Sequence, residues 1–261
     1  MSSVPNTLWY NTSIMDIFQD KSSENSYADY SISENAKIEQ DLIFEKLVSL
    51  LPKNPEIKIL DAACGNGWLA GRLSQTYKDI HGFDLSPALI ESAKKKFPEV
   101  DFQTKNLLNS LPYEANTFDV VLFIMAAHDA EDLKTAINNL SGVLKPGGQM
   151  LMAVSNPYYS FPVGVWKRGI KKLLPWAKPE LKLRSYNKIK KSPDKSFIWN
   201  KNITSYFYTL PEYINTSLDA GLELKSLTEV SSNVDGDKFN RQYQLYRFPL
   251  ILLLEFKKLS K

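Results

Sequence analysis

A pair of glycines flanked by carboxylates is the feature of this sequence best suited to hold a ligand. In the stretch from Ile57 to Gly71 a short apolar run ends at Asp61, passes through small residues and enters a helical stretch carrying Trp68, Leu69, Arg72 and Leu73. Gly65 and Gly67 permit a tight turn and a close approach of backbone to ligand. The free N–H groups at the start of the helix suit a negatively charged group. Gly65 to Ala70 satisfies the dinucleotide pattern G-x-G-x-x-G/A, and Asp84 follows at about the spacing of a ribose-binding acid, so the loop alone is compatible with NAD. Asp61 argues otherwise. A carboxylate at the strand tip repels a pyrophosphate. It suits a ligand that brings an ammonium group and only a small carboxylate, as S-adenosylmethionine does.

Other candidate groups recur at the same kind of position. Asp84 closes Ile80-His81-Gly82-Phe83-Asp84, one strand–helix unit after the glycine loop, where an acid can accept both hydroxyls of an adenosine ribose. Asn106 follows the third strand, Val100 to Gln103, and His128 follows the fourth, Phe118 to Ile124. A histidine beside a bound acceptor can remove a proton near neutral pH. His81 enters the second strand away from the strand tips and is expected to be structural. Cys64 is the single cysteine. No intrachain disulfide can form, and a reducing cytoplasm is the expected compartment. Two histidines and no cysteine cluster argue against a dedicated zinc site and leave magnesium held by carboxylates as the metal alternative.

These residues need a scaffold that brings strand ends together. Strand and helix alternate with short connections from residue 57 to Val154, and the nearly continuous apolar run Phe118–Ile124 marks a central parallel strand covered on both faces. Ser86-Pro87 starts one helix as N-cap and first helical residue, and Lys94, Lys95 and Lys96 end it. Leu133 to Leu144 forms the next helix, and Lys145-Pro146-Gly147-Gly148 stops it. The fold class is therefore α/β, a doubly wound, mostly parallel sheet, in which ligands lie beyond the carboxyl ends of the strands.

Four segments in order, Asp61-Ala62-Ala63-Cys64-Gly65-Asn66-Gly67, Gly82-Phe83-Asp84-Leu85-Ser86-Pro87, Phe118-Asp119-Val120-Val121 and Leu144-Lys145-Pro146-Gly147-Gly148, resemble class I S-adenosylmethionine-dependent methyltransferases, specifically the small-molecule branch related to ubiquinone and menaquinone methylases. The resemblance implies a Rossmann-like, seven-stranded sheet, S-adenosyl-L-methionine as cofactor and a small-molecule acceptor. It puts the methionine part on Asp61, Gly65 and Gly67, the ribose on Asp84, and the adenine on Leu85, with Asn106 standing where an acid usually binds the adenine amino group. Tyr30, Leu107 and Phe123 complete the expected cofactor contacts, and His128 is the expected catalytic base. Ala63 stands where glycine is commoner, which a methyl group tolerates only at negative φ.

The chain then divides into an arm and helix over 1–50, a cofactor-binding core over 51–156, an inserted substrate cap over 157–205, and the end of the core sheet over 206–261. The helix of the first part shows Glu39, Asp41, Glu45 and Lys46 on its wet side, with Ile38, Leu42, Ile43, Leu47 and Leu50 at helical spacing. Twelve basic residues against Glu180 and Asp194 give the cap a charge of +10, while the chain as a whole carries +3. Trp166, Ile170, Leu173 and Leu174 fall on one helical face, opposite Lys167, Arg168, Lys171 and Lys172. Such a segment, 163–176, can lie on an anionic membrane surface or close a pocket over a lipophilic acceptor. A nucleic-acid methylase is the alternative, against which stands the lack of a recognised RNA-binding motif; an NAD-dependent oxidoreductase is a third reading. Leu210–Gly221 reads as a helix, and Leu222–Val230 and Gln242–Phe256 as closing strands. Residues 1–20 lack the basic start and apolar core of a signal peptide.

Overall fold

Alternate residues of the apolar run Phe118–Ile124 face opposite cores, and the architecture follows from that division. The computed structural model describes residues 33–160, 162–167, 180–190, 196–200, 203–234 and 241–260. Its elements begin with α1 (Glu34–Leu50), β1 (Lys58–Ala62), α2 (Trp68–Leu73), β2 (Asp79–Asp84), α3 (Pro87–Lys96) and β3 (Asp101–Thr104). They continue with β4 (Phe118–Ile124), α4 (Leu133–Val143) and β5 (Leu144–Ser155). The inserted stretch contributes β6 (Gly164–Lys167), β7 (Glu180–Leu183), α5 (Tyr186–Lys190), β8 (Ser196–Asn200) and β9 (Ile203–Tyr206). The chain closes through α6 (Leu210–Asp219), β10 (Leu222–Val230), α7 (Arg241–Arg247) and β11 (Ile251–Lys258).

Seven strands form one sheet in the order β10-β11-β5-β4-β1-β2-β3. β1 to β5 pair in parallel, and β11 is antiparallel to both β5 and β10. Ile59, Val120 and Leu122 point into a core shared with Ile43 and Leu47 of α1, Leu69 of α2 and Ile90 of α3. Leu60, Val121 and Phe123 point the other way, toward Ile137 and Leu140 of α4 and Tyr213 of α6. Chain order reverses between β1 and β4, so the crevice of a doubly wound sheet opens at their carboxyl ends.

Local signals explain the helix boundaries. The Ser86 hydroxyl accepts from the Leu89 N–H at 3.3 Å to cap α3. Thr209 and Glu212 form a reciprocal capping box on α6. At the foot of the sheet Asp119 accepts from the Lys58 N–H at 2.9 Å and from Lys145 Nζ at 2.8 Å. Asp119 thereby ties the Phe118-Asp119-Val120-Val121 and Leu144-Lys145-Pro146-Gly147-Gly148 segments to the scaffold rather than to the ligand.

Three expectations are corrected. Glu39 is 6 % exposed on α1, not on its wet side, because its spacing puts it in one stripe with Ala36, Ile43 and Leu47. The segment from residue 242 begins as α7, which buries Tyr243, Gln244 and Leu245 and packs on α1; Pro249 then separates it from β11. In the insertion, Trp166 and Lys167 belong to β6, paired with β7 in the register Trp166↔Leu181 and Lys167↔Glu180, so no helical face starts there. A close approach sets this turn: the Gly164 N–H donates to the Ser160 carbonyl at 2.8 Å, and a Cβ on Gly164 would meet the Tyr159 carbonyl oxygen at 1.7 Å. Arg168, Ile170 and Lys171 to Leu174 lie outside the described residues, as does Tyr30.

Candidate functional site

The crevice above β1, β2 and β4 holds a cavity lined by Ala63, Asp84, Leu85, Asn106, Leu107 and Phe123, six of the residues singled out in the sequence. Asp61, Gly65 and Gly67 are not among the described residues that line it; they stand in β1 and the glycine loop, joined to it through the Gly65 N–H bond to Asp84, and His128 follows β4 in a single 3-10 turn, Ala127–Asp129. The cavity also brings together Lys105, Met125, Ala126, Asp129, Ala130 and Glu131, which sequence reasoning did not single out. Asp129 was adjacent to His128 in the sequence, and its place directly after a central strand was the available signal.

Asp61 is 2 % exposed, and its Oδ2 has no hydrogen-bond partner among the described residues. Burial raises its carboxyl to about pKa 7, against the pull of the Ala70 N–H and with a smaller push from Asp84. A buried carboxylate oxygen without a donor costs free energy until a donor arrives. Asp84 is held differently. Its Oδ2 accepts from the Gly65 N–H at 2.8 Å and its Oδ1 from the Ser86 N–H at 2.9 Å. Asp84 thus fixes both the glycine loop and the start of α3, and each oxygen keeps a lone pair for a ribose hydroxyl. Burial pushes its carboxyl above the usual range, and the charge of Asp129 adds to the rise.

Asn106 Oδ1 accepts from the Leu108 N–H at 2.9 Å, so the side chain shapes its own turn and has one carbonyl lone pair left for a ligand. Burial, helped by Asp61 and Asp84, pushes the Cys64 thiol well up, consistent with a small residue filling the loop rather than a nucleophile. His81 bridges Asp101 Oδ2 at 2.9 Å and Asp79 Oδ1 at 2.8 Å and belongs to the scaffold. Among the described residues no cluster of three or more His, Cys, Asp or Glu could hold a metal ion.

Ala63 overturns the expectation of a negative φ: it sits at +54°, in the left-handed region, as does Met125 at +56°. Both lie at strand tips lining the cavity, where the chain must turn sharply from a buried strand into the loop over it. The left-handed region costs an L-residue about 1–2 kcal/mol, and glycine's extra freedom in the unfolded chain costs about 0.4–1 kcal/mol. Ala63→Gly is expected to raise the unfolding free energy by up to about 1 kcal/mol in urea titration. A decrease would mean that the methyl contact of Ala63 with the second core outweighs the backbone strain.

His128 is not among the residues lining the cavity. Its Nε2 lies 3.8 Å from Asp129 Oδ2, and its buried Nδ1 has no hydrogen-bond partner among the described residues. Asp129 Oδ1 accepts from the Ser205 hydroxyl of β9 at 3.0 Å. The Tyr208 hydroxyl is 2.8 Å from both the Ala130 and the Glu131 carbonyl oxygens. The end of the insertion is thus fastened to the loop that follows β4.

The donor set fits a zwitterionic sulfonium nucleoside. Asp61 offers an unpartnered buried oxygen for an ammonium group, Asp84 two acceptors for a diol, and Leu85, Leu107 and Phe123 apolar surface for a base. A diphosphate would meet Asp84, Asp129 and Glu131 in the cavity, with Lys105 the one basic residue among the described residues lining it.

Residues 60–152 match the family described as methyltransferase domain. The chain is 35% identical over 94 residues to a demethylmenaquinone methyltransferase of Chlorobaculum tepidum, covering 36% of this chain and 38% of that one. It is 32% identical over 104 residues to a ubiquinone/menaquinone biosynthesis C-methyltransferase of Desulfotalea psychrophila, covering 38% and 42%. The chain thus spans less than half the length of these curated relatives. An S-adenosylmethionine-dependent methyltransferase from Mesorhizobium loti superposes with a TM-score of 0.66 at 19% identity, covering 83% of this chain and 98% of that one, a likeness of fold.

Proposed function

We propose, from the premise that this chain carries a class I S-adenosylmethionine-dependent methyltransferase domain, that it transfers a methyl group to a small-molecule acceptor held between the strand ends and the insertion. When bound, S-adenosylmethionine supplies a methyl group made electrophilic by its positively charged sulfur. The observation that carries the reading is the Oδ2 of Asp61, buried in β1 with no hydrogen-bond partner among the described residues, next to a crevice whose described polar lining is mostly carboxylate. Asp61 holds the ammonium end of the amino-acid part, for which the Gly65–Gly67 turn leaves room, Asp84 the ribose, and Leu85 and Leu107 the base, with the free lone pair of Asn106 open to an amino group.

The remaining work of the chain is alignment and exclusion of water. Fixing an acceptor against the methyl carbon contributes up to about 7–11 kcal/mol to a displacement of this kind. Proton removal falls to the His128–Asp129 pair, which stands directly after β4. The printed names of the quinone-methylating relatives support an apolar ring acceptor, and the +10 of the insertion supports an anionic one or an anionic surface around it. Among the described residues no helix is long and apolar enough to cross a membrane.

Calorimetry with S-adenosylmethionine and NAD in parallel is expected to give binding of the first only. Mass spectrometry of a metabolite extract incubated with isotopically labelled donor is expected to show label in a small molecule. Label appearing in nucleic acid, with binding lost steeply as salt rises, would replace this reading with the nucleic-acid one.

A further inference from the structure

Asp129 is a carboxylate placed where an aligned strand, a turn and the insertion converge. It lines the cavity at the carboxyl end of β4, and its side chain is 25% exposed, into that space. Its Oδ1 is engaged by Ser205, which is 3% exposed on β9. Its Oδ2 is 3.8 Å from His128 Nε2, an ion-pair distance beyond hydrogen-bond reach. One oxygen is therefore oriented by the insertion, and the other keeps lone pairs directed at no described donor. The titratable groups around it among the described residues are Asp84 from β2, His128 from its own turn, Lys105 after β3, Glu131 before α4 and Tyr213 of α6. Burial raises its carboxyl above the usual range, while His128 and Ser205 pull it down, so it can take up a proton more readily than a solvated aspartate.

We propose that Asp129 is the group that touches the methyl acceptor, and that the acceptor is a neutral molecule presenting a weakly acidic O–H or N–H to Oδ2. This rests on the methyltransferase reading and narrows its acceptor to one class. In the transfer the acceptor's proton passes to the Asp129 carboxylate, its lone pair forms the bond to the methyl carbon, and the pair of the broken C–S bond stays on sulfur. His128 and Ser205 are positioning residues: the first stands 3.8 Å from Oδ2, and the second fixes the carboxylate plane. Carboxylate or phosphate acceptors are disfavoured at this contact by Asp129, Asp84 and Glu131 together, whatever the charge of the outer insertion.

The test uses the full chain with aspartate labelled at the side-chain carboxyl carbon, saturated with S-adenosylhomocysteine. Phenol serves as the O–H probe, benzoate as its anionic counterpart and toluene as its apolar one. Phenol is expected to shift the Asp129 resonance, which Asp129→Asn identifies by its disappearance, while benzoate and toluene leave it in place. Asp129→Asn, checked for an intact fold by thermal unfolding, is expected to bind phenol about tenfold to a hundredfold more weakly. Ser205→Ala is expected to move the Asp129 titration upward and to weaken phenol less. Benzoate shifting the resonance as much as phenol, phenol shifting nothing, or Asp129→Asn binding phenol undiminished would each overturn the proposal. Failure of S-adenosylhomocysteine to bind would instead remove the methyltransferase reading on which it rests.

Discussion

Asp61→Asn is expected to bind S-adenosylmethionine about 10- to 150-fold more weakly, the effect of losing a charge-assisted hydrogen bond, and at the same time to make the free protein more stable at pH 8. The two effects share one origin. Asp61 is buried with an unpartnered oxygen, and its carboxyl holds a proton up to about pH 7, whereas the ordinary value is 3.8. Below pH 4 the carboxyl is protonated in folded and unfolded chain alike, and the group has little effect on stability. Between these values the folded state keeps a proton that the unfolded chain has lost, so stability falls as pH rises, reaching its full cost above about pH 7. Asparagine removes that decline. It does not abolish the whole slope, because burial raises Asp84 and Asp129 in the same direction.

Ligand affinity runs the other way. An ammonium group stabilises the Asp61 carboxylate, so affinity rises with pH until the carboxyl is ionised in the free protein, near pH 7, and then levels off. Calorimetry from pH 5.5 to 8 measures this directly, and repeating it in buffers of different ionisation enthalpy detects the released proton. Affinity that is flat across this range in the unsubstituted chain would place the ligand's positive charge elsewhere, and an asparagine variant no more stable at pH 8 would mean that burial does not hold the Asp61 carboxyl protonated.

How much of this site the sequence disclosed depends on whether a residue's task is local or long-range. The order β1 to β5 and the residues at the strand tips were legible, because apolar runs with glycine turns between them report the parallel sheet directly. Ser86 and Pro87 were legible for the same reason, since a cap acts within four residues. Ala63 was misread: its left-handed backbone is imposed by the turn between a buried strand and the loop above it, not by the residue itself. Glu39 was misread because charge was weighed above spacing. Asp129 went unremarked beside His128, since its significance comes from Ser205, 76 positions later in the chain. The expected closing strand starts too early because Tyr243 and Leu245 suit either state, and only the packing of α7 on α1, with Leu245 in the core beside Ile43 and Leu47, selects a helix.

Gly67→Ala is expected to destabilise the fold by about 2–4 kcal/mol, and the reason differs from the one its pattern suggests. Gly67 has φ +76°, and a Cβ there would lie 2.7 Å from Phe102 Cζ and 2.9 Å from Ala93 Cβ. Phe102 is 1% exposed and Ala93 fully buried, so neither neighbour has room to withdraw. The backbone cost of the left-handed region and the overpacking add, less the gain from a stiffer unfolded chain. The second glycine of the loop is therefore dictated by the packing of β3 and α3 beneath it, in addition to any approach of ligand from above. Gly221→Ala isolates the backbone part, because Gly221 has φ +80° and nothing within 4 Å of its missing Cβ. Urea titration of both variants is expected to show Gly67→Ala more destabilised than Gly221→Ala by about 1–3 kcal/mol, the overpacking share. Equal losses would mean that Phe102 yields at little cost, and the loop's shape would then rest on its own hydrogen bonds, from the Gly65 N–H to Asp84, the Cys64 N–H to the Phe83 carbonyl and the Gly67 N–H to the Cys64 carbonyl.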